Sequence, residues 1–255
     1  MNTLFMTLRT AFADSRANRK SFALQVFVMV VNDGVWIAFW VLFFHGVGTV
    51  RGWAIGDVMV LFSVLMTSVG IAVGLFSNSR RIGRMVSDGA IDETLVPPLR
   101  ILPNLLVRKI EPSNIGDIVA GILLFLLACN PTPVRALVWT LGVICSATIV
   151  VGFLVLVSSL TFFVGGQGDQ AELGLNTIAI FGSYPIDLFA GPLKVILFTL
   201  VPAGLVSGLP TNLVRHFDLL TAASLLGAAV GIVALASLAF SFGLRRYSSG
   251  SIWAR

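Results

Sequence analysis

Charge is what this sequence has least of. Only 11% of its 255 residues are charged and 56% are hydrophobic, with a mean hydropathy of +0.95. A soluble domain is about a quarter charged, so this chain cannot cover itself for water and reads as an integral membrane protein. Lysine is scarcer still. Lys20, Lys109 and Lys194 are its three lysines, and none completes the G-x-x-x-x-G-K-[ST] spacing that cradles nucleotide phosphates. That excludes ATP binding by the usual loop. Cys129 and Cys145 lie in or beside apolar runs; they fit no metal motif or disulfide framework and read as small apolar fillers. His45 and His216 lack H-E-x-x-H spacing, and Ser158 and Ser159 lack a G-x-S-x-G context, so no catalytic set emerges. No cleavable signal peptide is evident, because the first apolar run begins only after residue 21 and exceeds an h-region in length.

What is present is apolar length. A membrane helix needs about 20 mostly apolar residues. Phe22–Phe44, Ala54–Phe76, the shorter Ser113–Cys129, Ala136–Val164 and Leu219–Leu244 each read as one crossing. Leu173–Pro210 is interrupted by Pro185, Pro192, Pro202 and Pro210, which break any single helix. It reads as one crossing plus a short re-entrant element, since broken backbone at membrane depth needs protein or water around it. The expectation is an all-α membrane protein of six transmembrane helices, forming a single domain over 1–255. Thirteen of its 17 basic residues fall on one side if both termini are cytoplasmic, as the positive-inside rule prefers.

Ahead of the first crossing, Leu4, Phe5, Leu8, Phe12 and Phe22 can share one helical face beside Arg9, Arg16 and Arg19. Residues 1–21 thus read as an amphipathic helix lying along the inner leaflet. Inside the first crossing, "VVNDGVW" places Asn32 and Asp33 at membrane depth. Ionisable groups there are expensive and face a cavity or a partner helix, which makes both residues candidates for a translocation path. The glycine-rich "GGQGDQ", Gly165–Gln170, reads as a turn.

The charged exception to this apolar chain is "SRRIGRMVSDGAIDETLVPPLRILPNLLVRKIEP", Ser79–Pro112, with ten charged residues between Arg80 and Glu111. It occupies the loop between crossings two and three. Within it, Ser87 or Asp88 could cap a short helix, Asp92 and Glu93 suit a helix N-terminus, and Pro97 and Pro98 end it. Ile91 and Leu95 fall at i and i+4, giving a small apolar face. So short a helix is unstable alone, so it docks either on its own membrane domain or on a partner.

Three stretches carry a family resemblance: "RIGRMVSDGAIDETLVPPL" after crossing two, "YPIDLF" with "FTLVPAGL" in the broken segment, and "SFGLRRYSSGS" near the C-terminus. In their order and spacing the chain resembles the compact six-crossing permeases of the ABC-2 type. The resemblance implies the permease subunit of an ATP-binding cassette exporter in the cytoplasmic membrane. It implies that 77–112 is a coupling loop whose Asp88, Gly89, Ile91, Asp92, Glu93 and Leu95 face a separate cytoplasmic ATPase. It also implies a re-entrant region at 173–212, marked by Tyr184, Pro185 and Pro202, and pairing with a second permease as a homo- or heterodimer. ATP and Mg would bind in the partner subunit; no cofactor is expected on this chain. Its other surroundings are membrane lipid, with no nucleic acid. Two further readings stay open, an ion-gradient-driven secondary transporter and a non-transporting scaffold.

Overall fold

A computed structural model describes residues 19–92, 101–111, 114–166 and 168–247. Among them, regular structure is helical throughout; the one strand-like feature is an isolated bridge between Val50 and Trp53. The expected interfacial helix at 1–21, together with Glu93, Leu95, Pro97 and Pro98, lies outside the described residues, apart from the start of the first crossing at Arg19.

Eleven α-helices follow one another among the described residues: α1 (Arg19–Val47), α2 (Ile55–Leu75), α3 (Ile82–Ser87), α4 (Ile101–Val107), α5 (Ile115–Ala128), α6 (Pro133–Ser159), α7 (Thr161–Val164), α8 (Gln170–Gly182), α9 (Gly191–Thr199), α10 (Leu209–Arg215) and α11 (Leu219–Arg246). Helices α1, α2 and α11, and α6 with α7, contain spans long and apolar enough to cross a membrane, and α5 is a shorter apolar helix. Helix α8, expected to supply the fifth crossing, has 13 residues and reaches about 20 Å at 1.5 Å per residue, shorter than the four long spans.

Burial ranks these helices. In α2, 15 of the 21 residues are buried, so this helix is the axis of the bundle. It packs along α5 and α6. Trp139 of α6 stacks on Phe125 of α5, ring centroids 4.6 Å apart, and its indole N–H donates to Ser63 of α2 at 2.9 Å. By contrast α1 stands at the edge, exposing Leu24, Phe27, Val35 and Leu42. Its second half is anchored where Trp36 and Trp40 meet Tyr184 edge-to-face at 6.5 and 5.8 Å. Exposed apolar side chains suit hydrocarbon rather than water. Helix starts follow local chemistry: Thr132 and Asp218 each accept a hydrogen bond from the backbone N–H three residues on, at 3.2 and 2.8 Å, and Pro133 sits where a missing N–H costs nothing.

The broken segment resolves into α8 followed by a hairpin. Pro185 leads into a 3₁₀ turn, Ile186–Leu188. After it α9 and the Gly204–Arg215 helix meet at 78°, with Pro202 in the break. Taken alone, that bent pair could be one span. Its two ends, however, meet the same short connection, Gly48–Ala54, between α1 and α2. Asp187 at the entrance accepts from the Trp53 indole at 3.0 Å and pairs with Lys194 at 3.0 Å, and its carbonyl accepts from Arg51 at 2.7 Å. Arg215 at the exit pairs with Asp57 at 2.9 Å, donates to the Gly52 carbonyl at 2.7 Å and lies over the Trp53 ring at 4.5 Å. The pair therefore enters and leaves at one rim, and it is re-entrant. Between these ends, Ser207 and Leu65 lie against Gly182, so the hairpin dips toward the middle of α2.

This latch gives a first prediction. Burial raises the Asp187 carboxyl, but hydrogen bonds from Trp53 and Lys194 outweigh it and hold the group below its usual 3.8. A depressed carboxyl stabilises the fold at pH values above 3.8 and loses that contribution only as pH falls through the lower folded value. Arg215→Ala should strand Asp57 and the Gly52 carbonyl and cost about 1–2 kcal/mol, since the ion pair is partly exposed and screened. Thermal unfolding in detergent measures it, and an unchanged midpoint would refute the latch.

Candidate functional site

Two features stand out at membrane depth and at the rim opposite the hairpin. That rim is basic, carrying Arg80, Arg81, Arg84, Arg108, Lys109, Arg245 and Arg246.

The first feature is the way the loop after α2 is held. Arg80, with a side chain only 19% exposed, forms ion pairs with Glu111 and Glu172. One guanidinium thus joins the end of α2 to the start of α5 and to the first turn of α8. Its planar fork suits two carboxylates at once. Arg84 in α3 pairs with Asp169, whose hydrogen bond and charge raise an already high arginine pKa and keep the pair ionic. Ser87 donates to the Gly166 carbonyl at 2.6 Å. Gly83 lies directly on the backbone of Gly168, which has a φ of +75°. Gly165, Gly166, Gly168 and Asp169 are non-helical and Gln170 already opens α8. Gln167 of the run read as a turn lies outside the described residues, and Gly166, Gly168 and Asp169 are the plate on which α3 rests. Ser158 donates to the Ser79 carbonyl at 3.0 Å and Asn78 to that of Leu105 at 2.8 Å, so the loop is fastened to α6 and α4 as well.

Past α3 the expected cap residues play another part. Ser87 and Asp88 end a helix rather than begin one: Gly89 turns with φ +74°, and the Ile91 N–H reaches back to the Met85 carbonyl at 3.1 Å, the usual left-handed exit from a helix. Helical structure resumes at Asp92. Among the residues expected to face a partner, Asp88 is exposed, Gly89 and Asp92 are partly so, and Ile91 is fully buried. Ile91 packs with Ile82, Leu105, Val155, Ala236 and Phe240, and Asp92 accepts a hydrogen bond from the Tyr247 hydroxyl just past α11. Ile91 therefore anchors the loop, and the surface it supports is formed by its neighbours.

The second feature is a cavity of about 860 Å³ between α1, α2, α5 and α8. It runs from the Arg80–Glu111–Glu172 node to Trp36 and Ser183 nearer the hairpin rim. Its walls are mainly apolar, from residues such as Val28, Phe62 and Met66, but Asn32 and Asp33 of α1, Asp117 of α5 and Asn176 of α8 also line it. The helical period explains the α1 contribution, since residues 29, 32, 33 and 36 share one face. Asp117 is 6% exposed; one oxygen accepts from Asn114 at 3.3 Å, and the other has no hydrogen-bond partner among the described residues. Asp33 likewise has an oxygen without one.

Asn32 and Asp33 thus line a cavity at membrane depth. Tyr184 braces α1, Pro185 precedes the 3₁₀ turn, and Pro202 sits at the bend. Sequence reading missed Asp117 and Arg80. An acid inside an apolar run, "SNIGDIVAG", was the available signal for Asp117. Nothing in one dimension links Arg80 to Glu172.

Helical crossings, a re-entrant hairpin, a cavity open to several helices and a fastened loop at the basic rim define a multi-pass membrane transport component. Residues 30–251 match the family model of the ABC-2 family transporter protein, which covers most of the chain. The chain therefore belongs to that family and is a membrane permease component of an ABC transporter. No curated protein and no solved structure matches it.

Proposed function

We propose that this chain is the permease subunit of an exporter in the cytoplasmic membrane, with both termini cytoplasmic and the basic rim facing a separate ATPase subunit. A second permease, the same chain or another, completes the path, and ATP with Mg binds in the ATPase. The observation that carries this reading is the fastening of the loop. A push on 88–95 would reach α2, α5 and α8 through Arg80, and α6 and α11 through the cluster around Ile91. Stiffly joined elements move as rigid bodies, so closure of a docked ATPase would tilt the helices that wall the cavity. Asp88, Gly89, Asp92, Glu93 and Leu95 form the proposed contact, with Ile91 supporting it from beneath.

Asp88 offers a clean test because it is exposed. Asp88→Arg should leave the thermal midpoint within about 0.5 kcal/mol of wild type, as surface substitutions do. It should lower both co-purification with the co-expressed ATPase and the stimulation of its ATP hydrolysis by about tenfold, the weight of one interfacial charge contact. An undiminished complex would sink the docking assignment. Asp33 and Asp117, two acids at membrane depth, are the observation favouring an ion-gradient-driven alternative. Flux driven by a proton gradient without ATP would select that reading.

A further inference from the structure

Resting on the permease reading, we infer that the cavity between α1, α2, α5 and α8 takes a lipophilic organic cation as cargo. The argument is a balance of charge. Four carboxylates line the cavity, those of Asp33, Glu111, Asp117 and Glu172, against one cation, Arg80. Arg80 is already engaged by Glu111 and Glu172. Asp33 and Asp117 form no ion pair among the described residues, and each keeps a buried carboxyl oxygen without a hydrogen-bond partner. Asp117 is more than nine-tenths buried, where an uncompensated polar oxygen is costly. It lines the empty volume, so the group that satisfies it can come from within that volume.

The walls then select the kind of cation. A metal ion is poorly served, because no cluster of three or more His, Cys, Asp or Glu suited to one occurs among the described residues. Most of the lining is aliphatic or aromatic, with Val28, Phe62, Leu65 and Met66 among it, which suits an apolar body. The Trp36 ring lies one helical turn from Asp33 on the same face and offers its π-cloud to a positive charge. Asn32, Asn176 and Ser183 add neutral polar groups. An ammonium, guanidinium or phosphonium on a greasy frame matches carboxylate, ring and wall together. An anionic amphiphile would meet two unpaired carboxylates, and a neutral lipid would leave them unsatisfied.

Two probes of closely similar shape and opposite charge make the test. The full-length chain in nanodiscs of zwitterionic lipid is titrated with tetraphenylphosphonium and with tetraphenylborate, after subtraction of binding to empty discs. Wild type should bind the phosphonium at least tenfold more tightly than the borate. Asp117→Asn and Asp33→Asn, each nearly isosteric, should weaken phosphonium binding about tenfold apiece, the weight of one charged contact, and the double variant should lose the preference. Asp33→Asn carries the test if Asp117→Asn misfolds, because Asp33 is only partly buried. Magnesium at millimolar concentration should not compete. Equal affinity for the two probes, an unchanged double variant, or displacement by magnesium would each overturn the inference. ATPase co-purification is read on the same samples: an intact complex with no phosphonium preference rejects the cargo class alone, whereas a lost complex with preference intact rejects the docking assignment alone.

Discussion

Replacing Arg80 with alanine should destabilise the chain by about 2–3 kcal/mol and uncouple it from the proposed ATPase partner. The side chain holds Glu111 and Glu172 from two other parts of the bundle. Deleting it leaves two carboxylates facing one another across the cavity mouth. Breaking a fully buried pair costs about 3–5 kcal/mol. Here the partners are 28% and 38% exposed, so solvent screening reduces that figure. Arg80→Lys should recover only part of the loss, because an ammonium cannot fork to two carboxylates. Thermal unfolding reads the stability, and ATP turnover against substrate flux in vesicles reads the coupling. The expected signature is ATPase activity retained while flux falls about tenfold or more. Flux and midpoint both at wild-type levels would show that the node transmits nothing.

A comparable loss is expected from Gly168→Ala. Gly168 adopts φ +75°, and a Cβ there would enter the backbone of Gly83 and Arg84. An L-residue in the left-handed region costs about 1–2 kcal/mol, and forcing two backbones apart adds about 1–3 kcal/mol. The sum is about 3 kcal/mol, enough to lift α3 off its plate. Gly165→Ala is the matched comparison. It shares a positive φ of +71°, but a Cβ there meets nothing within 4 Å, so only the conformational cost applies. If the two substitutions destabilise equally, contact between the loops is not what the glycine serves. If Gly168→Ala alone lowers ATPase co-purification, the plate sets the position of the docking surface.

Much of this architecture could be read from the residues in order. Crossings one, two, four and six are long apolar runs, and each became a helix, because in hydrocarbon a helix satisfies its own backbone within the segment. The prolines of 173–210 announced a broken segment for the same local reason: Pro202 removes an N–H and clashes with the preceding turn wherever it sits. Asn32 and Asp33 were conspicuous because polarity inside an apolar run is costly in any fold.

Other features were set by partners distant in the chain. That α9 and the Gly204–Arg215 helix form a hairpin and not a span follows from Asp187 and Arg215 meeting the same turn at Gly48–Ala54, contacts more than 130 residues apart. The inward orientation of Ile91 depends on Phe240 and Val155, so an apolar i, i+4 pattern could not say whether that face docks outward or in. Nothing local to the glycine-rich run could show that Gly168 lies on Gly83, a contact that required two loops brought together by α6 and α8. Hydropathy and chain stiffness are properties of neighbouring residues, and they determined which segments enter the membrane and where each one breaks. Charge compensation acts through space, and only the packed helices could determine that Arg80 is neutralised while Asp33 and Asp117 are left facing an open cavity.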